Sequence, residues 1–375
     1  MNKGLSIYLD AVRFSAALWV LLAHFQVWNF APDAVARWFP YSGRDAVVLF
    51  FVLSGFVIAH SASAKTARAY TIDRLARIYS VAIPVVLLST GTTVLAVRLD
   101  YVDGSSIYQL EKLWFYLPLY FSFLGDAWHL KEIPYGNIPY WSLNFEFWYY
   151  ALFGVAIYLR GTQRYLALAA ILLVVGYKLW VMWPLWLAGV WLYTNRDRWT
   201  IGQRLARGLM AATAAAYLAL EVTGIDALIW SAGREFVSTT TGLHLDQAQY
   251  FLSDYTVAAL AVVHLYGARH ANLAFPEWLV PAIRWMAGFT FTLYLSHGPL
   301  LTFWSIFTGP PQNTVGQALA LLLGLLVAVV LIGLVTERQV YVWRSMISRC
   351  FAFADLALAI LQRLLINLRL LRSHR

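Results

Sequence analysis

Cysteine is almost missing from this sequence, with one residue, Cys350, among 375. A single thiol excludes an internal disulfide, and no metal-ligand spacing surrounds it, so thiol and zinc chemistry drop out and no metal site is expected. Charge is scarce too, at 13% of residues, roughly half the share usual in soluble domains. Hydrophobic residues make up 61%, and mean hydropathy is +0.62. No internal repeat, low-complexity tract or hydrophilic stretch of domain size is present. These absences exclude a soluble globular fold.

What is present is a series of apolar runs of about 17–25 residues, each enough to cross a hydrocarbon core. Spans are expected at about 5–29, 44–62, 76–97, 141–160, 164–182, 183–194, 207–224, 254–268, 284–307 and 315–335. The first run lacks a small-residue cleavage site and is too long for a signal h-region, so it reads as a retained span. The sixth, PLWLAGVWLY, is short for a crossing. Seventeen Trp and 22 Tyr suit the aromatic belts of the two membrane interfaces. The chain therefore reads as an all-α polytopic membrane protein with about ten transmembrane helices.

The net charge of +9 sits in short loops, as membrane orientation requires, and not in a nucleic-acid groove. Lys65, Arg68, Arg74, Arg77, Arg160, Arg164, Arg196, Arg198, Arg204, Arg207, Arg269 and Arg284 fall on one side. Asp33, Asp100, Asp103, Asp126, Glu132, Asp226, Glu235 and Asp246 fall on the other. The bias puts both termini in the cytoplasm.

Tyr108–Tyr140 does not fit as an eleventh span. WFYLPLYFSFL is short and broken by Pro118, and a crossing there would invert every later loop, so a re-entrant or interfacial segment is expected. The tail 338–375 has a helical pattern and carries Arg344, Arg349, Arg363, Arg369, Arg372 and Arg375. It reads as a basic amphipathic helix on the inner leaflet, following a membrane domain at 1–337.

Several spans hold groups that hydrocarbon rejects. Arg13 and His24 are eleven apart, which on a helix means about 16 Å and within about 20° of one face. Either they line a wet or catalytic interior, or Arg13 pairs with Asp10 and His24 is a hydrogen-bonded interior histidine. Glu146, in WSLNFEFWYY, should lie near the depth of His24, where it either orients the imidazole or ties two helices together. Arg74 and Arg77, in RLARIYS, are i, i+3 at an inner mouth, as phosphate recognition or a topology anchor demands. Tyr294 and His297, in TLYLSHGPL, share a face beside a Gly-Pro pair; they either project into one cavity or are internally satisfied polar groups of a kinked helix.

The motifs LDAVRFSAALWVLLAH, FFVLSGF, RLARIYS, WSLNFE, WLAG and TLYLSHGPL, in that order from about Leu5 to Glu337, resemble the acyltransferase-3 family. These are integral membrane acyltransferases, many of which O-acetylate bacterial surface polysaccharides. The resemblance implies His24 as the catalytic residue, Arg13 beside it, and Arg74 and Arg77 as the acyl-CoA contacts. It also singles out Trp141, Ser142, Glu146, Tyr294 and His297. The sequence departs from the family with Phe14 in place of a common glycine and Ser80 in place of a common proline.

What the resemblance implies is transfer of an acyl group, acetyl from acetyl-CoA, to a hydroxyl of an exported or surface glycan or glycolipid, in a bacterial inner membrane. His24 would be general base or transient acyl carrier, Glu146 its orienter, and Arg13, Ser142 or Tyr294 the oxyanion donor. The competing reading is a secondary transporter or flippase that uses the same buried charges as a substrate or proton site. Oligomeric state leaves no trace in the sequence.

Overall fold

The first helix starts where Asn2 caps it, its side chain accepting from the Leu5 amide at 2.7 Å. In the computed structural model, which describes residues 2–40, 42–104, 107–308 and 314–373, this helix is α1 (Lys3–Val27). It is followed by α2 (Arg44–Ala62) and α3 (Ala67–Arg98), the latter capped by Thr66. Two short helices come next, α4 (Tyr108–Glu111) and α5 (Leu113–Phe121), and then α6 (Tyr140–Tyr158), α7 (Gly161–Val175) and α8 (Tyr177–Thr194). The chain continues through α9 (Gln203–Thr223), α10 (Ile225–Thr241), α11 (Phe251–His270) and α12 (Leu279–Ala287). It closes with α13 (Thr290–Thr308), α14 (Val315–Val335) and α15 (Val340–Ser373). No strand occurs among the described residues.

A helix forms over each of the ten expected segments, but among the described residues length and composition single out six as able to cross a membrane. These are α1, α2, α3, α9, the Asp246–His270 segment around α11, and Val315–Ala357, which joins α14 to the start of α15. A seventh appears if α7 and α8, bent by 120°, form one broken span. The helices α6 and α13 fall short because they are built of Tyr, Trp, Asn, Glu, Ser, Thr and His, most of which point into the protein. Low hydropathy there reflects a polar interior.

Two boundaries, one loop and one side chain differ from the sequence reading. The break between the fifth and sixth segments lies at Gly176 and not at 182/183. Gly176 has φ +79°, a left-handed value suited to glycine. A Cβ there would lie 2.7 Å from the Trp128 backbone nitrogen. The expected outer loop around Asp226 and Glu235 contains α10, which runs between Gly224 and Gly242, both at positive φ; its periodicity is helical, but it is too short to suggest a span. The ninth segment begins at Thr290, because α12 is a separate helix tied to α1 through Arg284, which bonds Asp10 and also Ser6 Oγ at 3.0 Å. Asp126, expected at the outer surface, is buried and accepts from Asn144 Nδ2 at 2.7 Å. Burial pushes its carboxyl up to about 7, against the lowering effect of that hydrogen bond.

The nine residues of α5 extend about 14 Å, too little to cross the core. Residues 122–139 then run irregularly over α6 and the outer half of α13. Trp148 Nε1 donates to Phe123 O at 3.0 Å, and Thr302 Oγ1 to Gly136 O at 3.1 Å. The long α15 packs on α3, held by Arg344 Nε to Asp73 Oδ1 at 2.7 Å and by an Arg68–Asp355 pair. Arg375 lies outside the described residues, as do the side chains of Arg363, Arg369 and Arg372.

The tightest crossing is that of α2 with α8. A Cβ on Gly55 would meet the Trp186 carbonyl oxygen at 2.0 Å, and one on Gly189 would meet the Val52 oxygen at 1.9 Å. The glycines of FFVLSGF and WLAG thus let two backbones touch. That contact brings Trp186 Nε1 to Ser54 Oγ at 3.1 Å.

Candidate active site

The interior faces of α1, α2, α3, α6 and α13 meet around a narrow cavity of about 110 Å³. Arg13, Arg74, Arg77, Ser142, Glu146 and Tyr294 all line it, so the fold gathers six of the nine residues singled out in the sequence. They come from helices far apart in the chain.

At the inner end, Arg77 pairs with Glu337 Oε1 at 2.8 Å and lies over the Phe291 ring. The other oxygen of Glu337 accepts from the Thr292 backbone nitrogen at 2.8 Å and its hydroxyl at 2.9 Å. Arg74 lies over the Tyr150 ring, and its buried Nε has no partner. Thr290 Oγ1, on the same cavity, is likewise unpartnered. Three guanidinium groups therefore face two carboxylates, Glu146 and Glu337. Such an excess of buried donors suits an anion. The alternative Arg13–Asp10 pair does not form, because Asp10 is taken by Arg284.

Halfway up, Glu146 accepts from Ser54 Oγ at 2.6 Å and also bonds the Tyr150 hydroxyl. One turn further out, Ser142 Oγ and Tyr294 OH lie 2.7 Å apart. Trp141 does not line the cavity; it packs against Phe51 and Phe145, with the Arg44 guanidinium 6.0 Å from its ring.

Outward of the cavity, whose lining includes neither histidine, His24 Nδ1 meets His297 Nε2 at 2.7 Å, the rings stacked at 27°. This corrects the expected pairing of His24 with Glu146. Three residues of α13 separate His297 from the Ser142 level, and four of α6 separate Ser142 from Glu146. The carboxylate therefore lies about 10 Å deeper than the imidazoles.

The bonding pattern assigns the protons of the pair. His297 Nδ1 lies 2.9 Å from the Leu293 carbonyl oxygen, which can only accept, so Nδ1 carries the hydrogen. In the neutral ring Nε2 is then an acceptor, and His24 Nδ1 must donate to it. His24 is left with a bare Nε2 lone pair. The pair lies beside the 122–139 segment: a Cβ on Gly298 would meet Gly136 O at 3.0 Å and Asn137 Cα at 3.3 Å. Asn137 is fully buried with neither side-chain amide atom partnered.

A model of the family described as an acyltransferase domain matches residues 6–337. The chain belongs to the acyltransferase-3 family. No curated protein and no solved structure matches it. The activity this family supports is acyl transfer by a multi-pass membrane protein. Among the described residues of this acyltransferase, no three His, Cys, Asp or Glu gather as a metal site. Sequence reasoning missed Ser54, Tyr150, Glu337 and Asn137. Ser54 stood inside a recognised motif, whereas Glu337 follows the last apolar run with no spacing that marks it.

Proposed function

We propose that this acyltransferase moves an acetyl group from cytoplasmic acetyl-CoA to a hydroxyl of an exported or surface glycan or glycolipid, in a bacterial inner membrane. Residues 1–337 would form the catalytic unit, with ten spans and both termini inside, and 338–375 a basic tail on the inner leaflet. The observation that carries the reading is the His24–His297 hydrogen bond, which leaves the His24 Nε2 lone pair free on the same helix as Arg13, outward of the narrow cavity that Arg13, Arg74 and Arg77 line.

Arg74, Arg77 and Arg13 would hold the donor. Their positive excess and the unpartnered Arg74 Nε fit phosphate, and a cavity this narrow fits a slender extended arm. Arg13 lies about 16 Å below His24 and so serves the donor, leaving Ser142 and Tyr294 as the hydroxyls nearest the reacting carbonyl. Trp141 would brace this region through Phe51.

In the transfer step the acceptor oxygen attacks the thioester carbonyl while His24 Nε2 takes its proton. The C–O bond forms, the C–S bond breaks, and the proton passes from His24 to the departing thiolate. The same lone pair serves a two-step route through acyl-His24. His297, by accepting from Nδ1, holds the ring and stabilises the imidazolium that forms, the role that sequence reasoning gave to Glu146. Glu146 would hold Ser54 and Tyr150 across the middle of the cavity.

Purified protein in vesicles, given labelled acetyl-CoA and a polysaccharide or glycolipid acceptor, should acetylate the acceptor, and His24→Ala should not. A transporter moves substrate without breaking the thioester, so intact acetyl-CoA throughout would overturn the reading.

A further inference from the structure

The helices α1 and α2 border a second cavity on the side away from the arginines. Because α9 packs along α11, α11 against α2, and α2 against α1, the four surround a slot of about 470 Å³. That is within the ~300–1,000 Å³ range of small-molecule sites. The space exists because its floor is made of small residues, Ala16, Ala46 and Ala261. Its mouth is edged by the exposed Ser15, Trp19 and Ala214. These are mid-helix positions of α1 and α9, two of the helices long and apolar enough to span. The slot therefore opens sideways at hydrocarbon depth, where the entering molecule is a lipid chain.

The two ends of the slot differ. The inner polar group is already satisfied: His264 bonds Tyr8 OH at 2.5 Å through Nε2 and Thr213 Oγ1 at 2.9 Å through Nδ1. At the outer end Asp45 accepts from Tyr217 OH at 2.9 Å and shares a hydrogen bond with the Glu221 carboxyl, while Asp226 nearby accepts from Ser253; one proton between Asp45 and Glu221 still leaves the cluster negative. The neighbouring cation, Arg44, is held by Asp254 through two nitrogens. The outer end is thus anionic, and its complement is a cationic hydrogen-bond donor.

We infer that this slot binds one chain of a membrane lipid whose headgroup carries a primary ammonium, the chain lying between α1 and α9 and the ammonium at Asp45. Charge complementarity selects an aminophospholipid over an anionic one. The lipid would back the helices that carry Arg13, His24 and Ser54 without entering the transfer site.

The test uses the full-length protein in phosphatidylglycerol vesicles doped with phosphatidylethanolamine that carries a diazirine in its acyl chain, or with a matched phosphatidylglycerol probe. Crosslinks from the ethanolamine probe should concentrate at Tyr8–Trp19, Thr213–Tyr217 and Val257–Leu265. They should exceed those of the glycerol probe by about tenfold, the effect of one charge-assisted contact. Ala214→Trp, a substitution at the exposed mouth, should remove these crosslinks and leave monodisperse protein. Asp45→Asn should bring the ethanolamine probe down to the level of the glycerol probe. Labelling spread evenly over the lipid-facing helices, persistence in the Ala214→Trp variant, or equal labelling by both probes overturns the proposal. None of these readouts requires acyl transfer, so the proposal fails or stands separately from the enzymatic one.

Discussion

His24 and His297, 273 positions apart in sequence, share a hydrogen bond of 2.7 Å. A helix carbonyl fixes one ring and that ring fixes the other. Replacing His24 by Ala should reduce transfer by at least about 10²–10⁴ with expression and elution profile unchanged, measured as acetylated product per protein. Retention of more than roughly a tenth of the activity would contradict a catalytic role.

His297 is a positioning residue, and its variants should behave differently. His297→Ala should lower kcat by about tenfold to a hundredfold, as loss of an orienting partner does, and leave the donor KM unchanged. His297→Gln, whose amide oxygen can still accept from His24 Nδ1, should recover part of the loss. A purely structural role would move stability and leave no such rescue.

Arg74→Ala should raise the donor KM more than it lowers kcat, since its guanidinium lies far from the imidazoles and contributes mainly ground-state binding. A charge-assisted contact is worth roughly 1.5–3 kcal/mol. Arg77→Ala should add a stability loss, because it strands the buried Glu337 carboxylate; breaking such a pair costs about 3–5 kcal/mol. Steady-state kinetics and thermal unfolding of the two variants separate these effects, and an unchanged donor KM in both would reduce the pair to a topology anchor.

The crossing of α2 and α8 predicts that Gly55→Ala and Gly189→Ala destabilise the protein strongly. Each added methyl would meet a backbone oxygen at about 2 Å, and overpacking of this kind costs about 1–3 kcal/mol or more. Tm of the purified variants measures it; Gly208→Ala, with open space around it, is the control.

The Asp126 carboxyl, raised to about 7 from 3.8, gives the outer loop a pH dependence of known sign. A carboxyl whose folded value exceeds its unfolded one contributes stability fully present below pH ~4 and lost as pH rises through ~7. Hydrogen exchange in residues 122–139, corrected for the intrinsic rate, should therefore increase from about pH 4 to about pH 7 and level off above it. Asp126→Asn keeps an acceptor for Asn144 and should flatten that rise.

Topology follows from single cysteines at Asp100 and Arg204, both exposed, in a Cys350→Ser background. A membrane-impermeant thiol reagent on intact cells should label position 100 and spare position 204. Labelling of both would break the inside-positive orientation and the two-sided route from donor to acceptor.

Much of this protein is legible in its amino-acid order. Apolar runs had to become helices, because backbone groups in hydrocarbon have no other partners, and the ten segments did so to within a few residues in most cases. The family, and the motifs that converge on one cavity, were also readable, since helical spacing alone puts Arg13 and His24 on one stripe and Arg74 and Arg77 on another. The partners of these groups were not readable. Depth estimates from span ends placed Glu146 beside His24, but α6 enters with Ser142 at the level of Tyr294, which carries Glu146 a turn deeper, to Ser54, and leaves His24 to His297. Nor does any local pattern mark Glu337, Asn137 or the Gly55–Gly189 crossing. Each owes its place to contacts between segments distant in sequence, and only the packing of whole helices decides which buried polar group meets which.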